Sequence, residues 1–128
     1  VSPKMPVTIE AAALAKMADR GQITGGLVDG PFAFDNAISA VAAKVKGITS
    51  PVAGHANILL VPNLEAGNMR AKNLSFLAEA DAAGVVLGAK VPIILTSRAD
   101  TVRTRLASAA IAKLYAHALR ERGHGGAA

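Results

Sequence analysis

The sequence predicts an α/β fold in which a mostly parallel sheet is flanked by helices. Short unbroken aliphatic runs, of which 57–62 is the clearest, are typical of strands that are buried on both faces of a parallel sheet. These runs alternate with longer Ala-rich and Leu-rich segments of helical character, and this alternation favours parallel strands joined by helices. The chain has 128 residues, 52% of them hydrophobic, which suits one domain with a core of small aliphatic side chains.

Caps and stops predict four helices. The first runs from about Ile9 to Arg20, with Thr8 as its cap and Gly21 as its stop. The others run from Asp35 to near Gly47, from about 68 to 83, and from about 100 to 120. The last helix has an apolar residue every four positions, which indicates a buried stripe. This stripe consists of Val102, Leu106, Ala110, Leu114 and Ala118.

The aliphatic runs predict strands at 23–28, 57–62, 85–87 and 92–96. No linker interrupts the pattern, so one α/β domain is expected over residues 1–122. The Gly-rich and Ala-rich segment 123–128 is expected to be a flexible tail.

Charge and composition exclude several classes of function. The net charge of +5 comes from residues 89–128, which have seven cationic and two acidic side chains, whereas residues 1–88 have seven of each. Such a segment attracts polyanions, either nucleic acid or a small ion such as phosphate or the phosphates of coenzyme A. Because aromatic residues are only 3% of the chain and no run of Lys or Arg occurs, nucleic acid is the least favoured partner.

The absence of cysteine excludes a disulfide framework, a thiolate metal site and a cysteine nucleophile. The three histidines, His55, His117 and His124, lack the spacing of a metal site, so no metal is expected. Neither a secretory signal nor an apolar run long enough to cross a bilayer is visible. These features fit a cytoplasmic protein that does not bind membranes.

Parallel sheets bind ligands beyond the carboxyl ends of their strands, which directs attention to the loops 29–35, 63–68 and 97–100. In the last loop, Arg98 can grip phosphate, Ser97 can add a hydroxyl donor and Asp100 can accept a proton. The alternative is that Asp100 caps the following helix and pairs with Arg98 on the surface. Spacing alone favours this alternative.

The two other loops offer candidate substrate-binding residues. These are Asp29, Asp35, Glu65, Gly67 and Asn68. Carboxylates and an amide can orient a polar substrate, and a glycine permits close approach of the backbone. Turn-forming and helix-capping roles explain the same residues, and in isolation they are the simpler explanation.

Four ordered motifs resemble the phosphate acetyl/butyryltransferase family. They are DGPFAFDNA at 29–37, SPVAG at 50–54, VPNLEAGN at 61–68 and VPIILTSRAD at 91–100. The likeness covers nearly the whole chain and is greatest to the C-terminal part of bifunctional enoyl-CoA hydratase/phosphate acetyltransferase proteins. Because four motifs in order are more specific than one loop, the resemblance favours the functional interpretation of all three loops.

The resemblance implies part of an isocitrate/isopropylmalate dehydrogenase-like fold, in an enzyme that converts acetyl-CoA and phosphate to acetyl phosphate and coenzyme A. It implies that Ser97 and Arg98 contact the phosphoryl and acyl oxygens, and that coenzyme A is a substrate with no tightly bound cofactor. The position that holds an aspartate base in some members is Thr104 here, so the assignment of Asp100 as base is a hypothesis. A homodimer is also implied.

The family's N-terminal half would be missing from this chain, so the isolated chain is expected to be an incomplete catalytic unit. Two alternatives stay open: a non-catalytic module that senses acyl-CoA, and an inactive structural fragment.

Overall fold

The computed structural model describes residues 1–124, and regular structure within them is helical. The helices are α1 (Pro6–Asp19), α2 (Phe34–Ile38), α3 (Ala40–Val45), α4 (Leu64–Leu77) and α5 (Val102–His124). The chain divides into two compact units, Val1–Gly67 and a second that begins at Asn68. Residues 125–128, which make up most of the expected tail, lie outside the described residues.

The predicted parallel sheet is wrong. Within residues 1–124, β-type pairing is limited to two isolated antiparallel bridges, Ser2 with Met5 and Val86 with Ile93. In the second bridge, the Val86 amide donates to the Ile93 carbonyl over 2.8 Å. The predicted strands 23–28 and 57–62 have no regular structure.

The reason lies in the lateral hydrogen bonds that a strand requires. Within the part of the chain that the structure describes, no neighbouring segment pairs with 57–62, and Ile58 and Leu60 are 85% and 78% exposed. An aliphatic run indicates that a segment has apolar surface to bury. It does not supply the partner that would turn the segment into a strand.

The first unit is organised around α2 and α3, which contact each other closely. Its buried residues are Asn36, Ala37, Ala43 and Ala53. The loop after α3 returns to α2, where the Gly54 amide donates to the Asn36 carbonyl over 2.7 Å. Gly54 has a φ of +83°, and a Cβ there would lie 2.5 Å from the Ala40 Cα. Only glycine fits this contact without moving the backbone.

The caps of the first three helices differ from those predicted. Pro6 is at the start of α1, where its missing N–H costs nothing, and the Thr8 hydroxyl donates to the Met5 carbonyl from inside the helix. Gly21 follows α1 with a φ of +73°, as the sequence predicted. The predicted second helix is broken at Ser39, whose hydroxyl oxygen caps α3 by accepting from the Ala42 amide.

The second unit is organised around α5, which confirms the predicted last helix but not its buried stripe. Val102, Leu106 and Leu114 are 73%, 66% and 69% exposed. The face that is buried instead carries Ser108, at 1% exposure, and Ala112, at 7%. Small side chains on this face let the helix approach the neighbouring segment 82–84 closely.

Ser108 joins α5 to that segment. Its hydroxyl donates to the Thr104 carbonyl over 2.8 Å and its oxygen accepts from the Gly84 amide over 3.0 Å. This bond connects residues 24 positions apart. Ser108 is buried and Gly84 is exposed, so this bond contributes the net stabilisation of an ordinary hydrogen bond and holds the segment 82–84 against the helix.

Replacing Ser108 with Ala is therefore expected to lower the free energy of unfolding by about 1 kcal/mol, the usual net contribution of one hydrogen bond, because the bond from the Gly84 amide is lost. Urea unfolding followed by circular dichroism measures the change. Ser75→Ala is the matched control, because no hydrogen bond of the Ser75 hydroxyl occurs among the described residues. Equal stability of the two variants would remove the structural role of the Ser108 hydroxyl.

Candidate functional site

The loop at 97–100 forms a tight turn before α5. The Asp100 amide donates to the Ser97 carbonyl over 3.1 Å. In return, the Asp100 Oδ2 accepts from the Ser97 amide over 2.7 Å. These two bonds fix the Asp100 side chain relative to the Ser97 backbone.

The cap of α5 is Thr101, and the predicted capping role of Asp100 is wrong. The Thr101 Oγ1 accepts from the Thr104 amide over 3.2 Å, which is the usual bond of a helix cap. The Asp100 carboxylate instead accepts within its own turn. Its Oδ1 has no hydrogen-bond partner within the described part of the chain.

Ser97 retains a hydrogen to donate. Its Oγ accepts from the Ala99 amide over 3.3 Å, and this bond uses a lone pair of the oxygen, not its proton. Ser97 is exposed, so a ligand can receive that hydrogen bond.

This turn borders a cavity of about 270 Å³ within the second unit. Three of the sequence-predicted residues line it: Asn68, Ser97 and Asp100. The other lining residues are Ala71, Lys72, Ser75, Ala82, Ala83, Gly84, Leu95, Thr96, Thr104 and Ser108. Three segments therefore meet at the cavity: one face of α4, the segment 82–84, and the turn with the start of α5.

Arg98 differs from the prediction in its placement. It is exposed and does not line this cavity. No ion pair of Arg98 occurs among residues 1–124, so the expected alternative, a surface pair with Asp100, is absent there. Its guanidinium is available to an anion at the edge of the turn.

The remaining predicted residues belong to the first unit. Glu65 and Gly67 lie in the first turns of α4, not in a loop, because the Asn63 side chain caps that helix by accepting from the Ala66 amide over 2.9 Å. A Cβ at Gly67 would lie 3.1 Å from Val61 Cγ2, so packing accounts for this glycine. Asp29 is exposed, and its Oδ1 accepts from the Gly30 amide over 2.7 Å.

Asp35 forms an exposed ion pair with Lys46, with 2.7 Å between Oδ2 and Nζ. Hydrogen bonding from the Lys46 ammonium holds the pKa of the Asp35 carboxyl below its ordinary value. A carboxylate already paired in this way is less available to bind a substrate cation or hydroxyl.

The lowered pKa of Asp35 gives a test by titration. Because the pairing favours the ionised form, it is present above the ordinary pKa and is lost as the pH falls through the lowered value. Lys46→Met is expected to raise the carboxyl midpoint, measured from the Asp35 13C shift by NMR. Lys44→Met, a nearby cation with no ion pair among the described residues, is expected to leave it unchanged. An unaltered midpoint in Lys46→Met would show that the pair does not form in solution.

Sequence reasoning missed four polar residues that line the cavity: Lys72, Ser75, Thr104 and Ser108. Lys72 and Ser75 follow Asn68 on α4 at spacings of four and seven, which places all three on one face of a helix. Thr104 and Ser108 lie on α5, four and eight positions after Asp100. Helical register counted from the predicted residues was the available signal.

Among the side chains that the structure describes, up to residue 121, no cluster of His, Asp or Glu has the arrangement of a metal site. The same residues contain no helix long and apolar enough to cross a bilayer.

Comparison with known proteins gives concordant findings. The family model described as phosphate acetyl/butaryl transferase matches residues 1–113. The chain is 74% identical over 116 residues to a phosphate acetyltransferase of Rhizobium meliloti, covering 91% of this chain and 37% of that protein. It is 52% identical over 116 residues to a phosphate butyryltransferase of Clostridium beijerinckii, covering 91% of this chain and 38% of that protein.

A solved structure is also similar: the crystal structure of a branched-chain phosphotransacylase from Enterococcus faecalis V583. It superimposes with a TM-score of 0.74 at 34% identity, over 88% of this chain and 40% of that one. The chain thus spans less than half the length of the relatives it matches.

Proposed function

This chain belongs to the phosphate acetyl/butaryl transferase family, and on that basis we propose that it carries part of a site that transfers a short acyl group between coenzyme A and phosphate. One observation carries the assignment of the site. The turn with Ser97 and Asp100 borders a cavity that Asn68 also lines, so residues from separate motifs converge. Arg98 lies in the same turn.

The proposed reaction is direct acyl transfer. The thiolate sulfur of coenzyme A attacks the carbonyl carbon of the acyl phosphate, so a C–S bond forms and the bond from that carbon to the phosphate oxygen breaks. The electron pair of the broken bond leaves with phosphate. No covalent intermediate on the protein is required, and no histidine lies among the cavity residues to activate Ser97 as a nucleophile.

Each residue of the turn has a role in this proposal. Asp100 accepts the thiol proton, which its unpartnered Oδ1 can do while Oδ2 keeps the bond to the Ser97 amide. The Ser97 hydroxyl donates to a phosphoryl or acyl oxygen. Arg98 stabilises the charge on the departing phosphate.

The volume of the cavity fits the smaller substrates, phosphate and acyl phosphate. Ligand sites typically enclose about 300–1,000 Å³, and about 270 Å³ suits a phosphate or acyl phosphate and not a whole coenzyme A. Most of the coenzyme A molecule would therefore lie outside this cavity.

The proposed functional unit is residues 1–122, acting as part of a longer polypeptide in the cytoplasm and as a homodimer. The exposed aliphatic residues Val86 and Leu87, at 43% and 65% exposure, support a contact with a second copy. Asp29, Asp35, Glu65 and Gly67 are retained as proposed substrate-binding residues, of which Asp35 has the weakest support because of its pair with Lys46.

A chimera tests the function. This chain would replace the segment that it matches in the Rhizobium meliloti phosphate acetyltransferase, and acetyl phosphate formed from acetyl-CoA and phosphate would be measured together with release of the free thiol. We expect turnover within about tenfold of the parent enzyme, since most matched positions are identical. A folded chimera that binds coenzyme A without turnover would favour the sensing module instead.

A further inference from the structure

The cavity beside the Ser97 turn has one cationic side chain among its lining residues, and this is Lys72. Its one carboxylate is Asp100. Arg98, the cation that the sequence motif singles out, is not among the lining residues. Among the lining residues, Lys72 is therefore the side chain whose charge can attract a phosphate to the cavity.

Lys72 is positioned by its helix. It lies on the face of α4 that Asn68 and Ser75 also present to the cavity, and its side chain is half-buried. Its Nζ lies 5.7 Å from the centroid of the Phe76 ring, one turn further along. A contact of this kind attracts a cation to the ring face and restricts where the ammonium can be.

The ammonium of Lys72 has no carboxylate partner within the described residues. A half-buried cation without an ion pair attracts an anion more strongly than one in bulk water, because the effective dielectric constant is lower. Hydrogen-bond donors complete the environment: the Ser97 hydroxyl and the Asn68 amide border the same space.

We propose that Lys72 is a phosphate-binding residue of this cavity, in which its ammonium contacts the phosphoryl oxygens of inorganic or acyl phosphate. The proposal rests on the proposed function for the identity of the ligand. Lysine binds phosphate as a point charge, and each bond is strengthened by the charges on both partners. Lys72 also balances the charge of Asp100, which would otherwise repel a phosphate dianion.

The test is a titration of the 128-residue chain, labelled with 15N, with inorganic phosphate. The amide shifts of Ser97 and Gly84 report on two walls of the cavity. Lys72→Met is expected to weaken phosphate binding by about tenfold or more, since it removes charge-assisted hydrogen bonds. Lys72→Arg is expected to stay within about threefold of the wild type because the charge is kept.

Lys113→Met is the matched control. Lys113 is an exposed cation of α5 that does not line the cavity, and its loss is expected to change binding by less than about twofold. Amide spectra without phosphate show whether each variant keeps the wild-type fold. Lys72→Leu replaces Lys72→Met if the methionine variant does not fold.

Two outcomes would overturn the proposal: phosphate binding by Lys72→Met with wild-type affinity, and a wild-type chain whose Ser97 and Gly84 amides do not respond to phosphate. A third arm uses adenosine 3′,5′-bisphosphate, which has the 3′-phosphate of coenzyme A and one of its two 5′ phosphate groups but no acyl phosphate. If Lys72→Met lost binding of the bisphosphate but kept binding of inorganic phosphate, the proposal would also be overturned. If the chimera were inactive but phosphate binding still depended on Lys72, the proposed acyl transfer would be rejected and the proposed anion site would be supported.

Discussion

Replacing Asp100 with Asn is expected to lower the rate of acyl transfer by about 100-fold to 10,000-fold, the range that loss of a general base produces. The substitution keeps the shape of the side chain and an oxygen that can accept from the Ser97 amide, a bond of 2.7 Å in the native turn. The turn is therefore preserved while the proton acceptor is lost. The measurement is thiol-dependent turnover in the chimera with the Rhizobium meliloti enzyme.

Asp81→Asn is the control for this substitution. Asp81 forms an exposed ion pair with Arg103 and does not line the cavity, so exposed-pair energetics predict a small effect on the rate. Near-normal turnover of Asp100→Asn would take Asp100 out of the mechanism and require another base.

Replacing Arg98 with Gln is expected to lower turnover by about 100-fold to 1,000-fold, the usual cost of removing one group that stabilises the charge of a transition state. The guanidinium has no ion pair among residues 1–124, so its replacement breaks no internal contact of that kind. We expect kcat to fall more than KM rises, because the charge on the departing phosphate develops in the transition state.

Arg105→Gln removes the same charge from an exposed position of α5 that does not line the cavity. Equal rates for the Arg98 and Arg105 variants would mean that Arg98 acts only through the general positive charge of the C-terminal segment. Circular dichroism of both variants distinguishes a loss of chemistry from a loss of fold.

The helices that sequence predicts well are those with local signals. Gly21 ends α1 because only a left-handed residue fits there, and the long α5 is evident from its composition. The start of α4 was placed four residues too late, since Gly67 suggested a loop. The amide of Asn63 is the actual cap, and its signal was in the sequence.

The strand predictions were wrong because strand pairing depends on a partner segment that no local pattern identifies. Whether 57–62 becomes a strand depends on a partner elsewhere, and within the described residues the only β-type partner of a predicted strand is the single bridge between Val86 and Ile93. The aliphatic composition correctly indicated apolar segments, but the prediction that these segments pair as strands was wrong.

The buried face of α5 was misjudged because a spacing of four is not the helical repeat. Each step of four residues advances about 400°, so positions drift by about 40° per step and by about 160° over four steps. Val102 and Leu114 therefore do not share one face. Of the residues that are buried, Ser108 is polar and Ala112 is small, so neither is typical of a predicted core.

Of the candidate site, sequence motifs identified the turn and Asn68, but not the rest of the cavity. Helical register counted from Asn68 could have identified Lys72. Ser108 contributes through a contact with a segment distant in sequence, and motif spacing contains no information on such a contact.

At the start of α5, helix capping and the proposed proton transfer belong to two different residues, Thr101 and Asp100. Thr101 satisfies the helix amide, so the neighbouring carboxylate of Asp100 is not needed to hold the first turn together. In the proposed reaction, Asp100 can then gain and release a proton while the helix behind it stays unchanged, so that the chemical step at this carboxylate does not require a structural one.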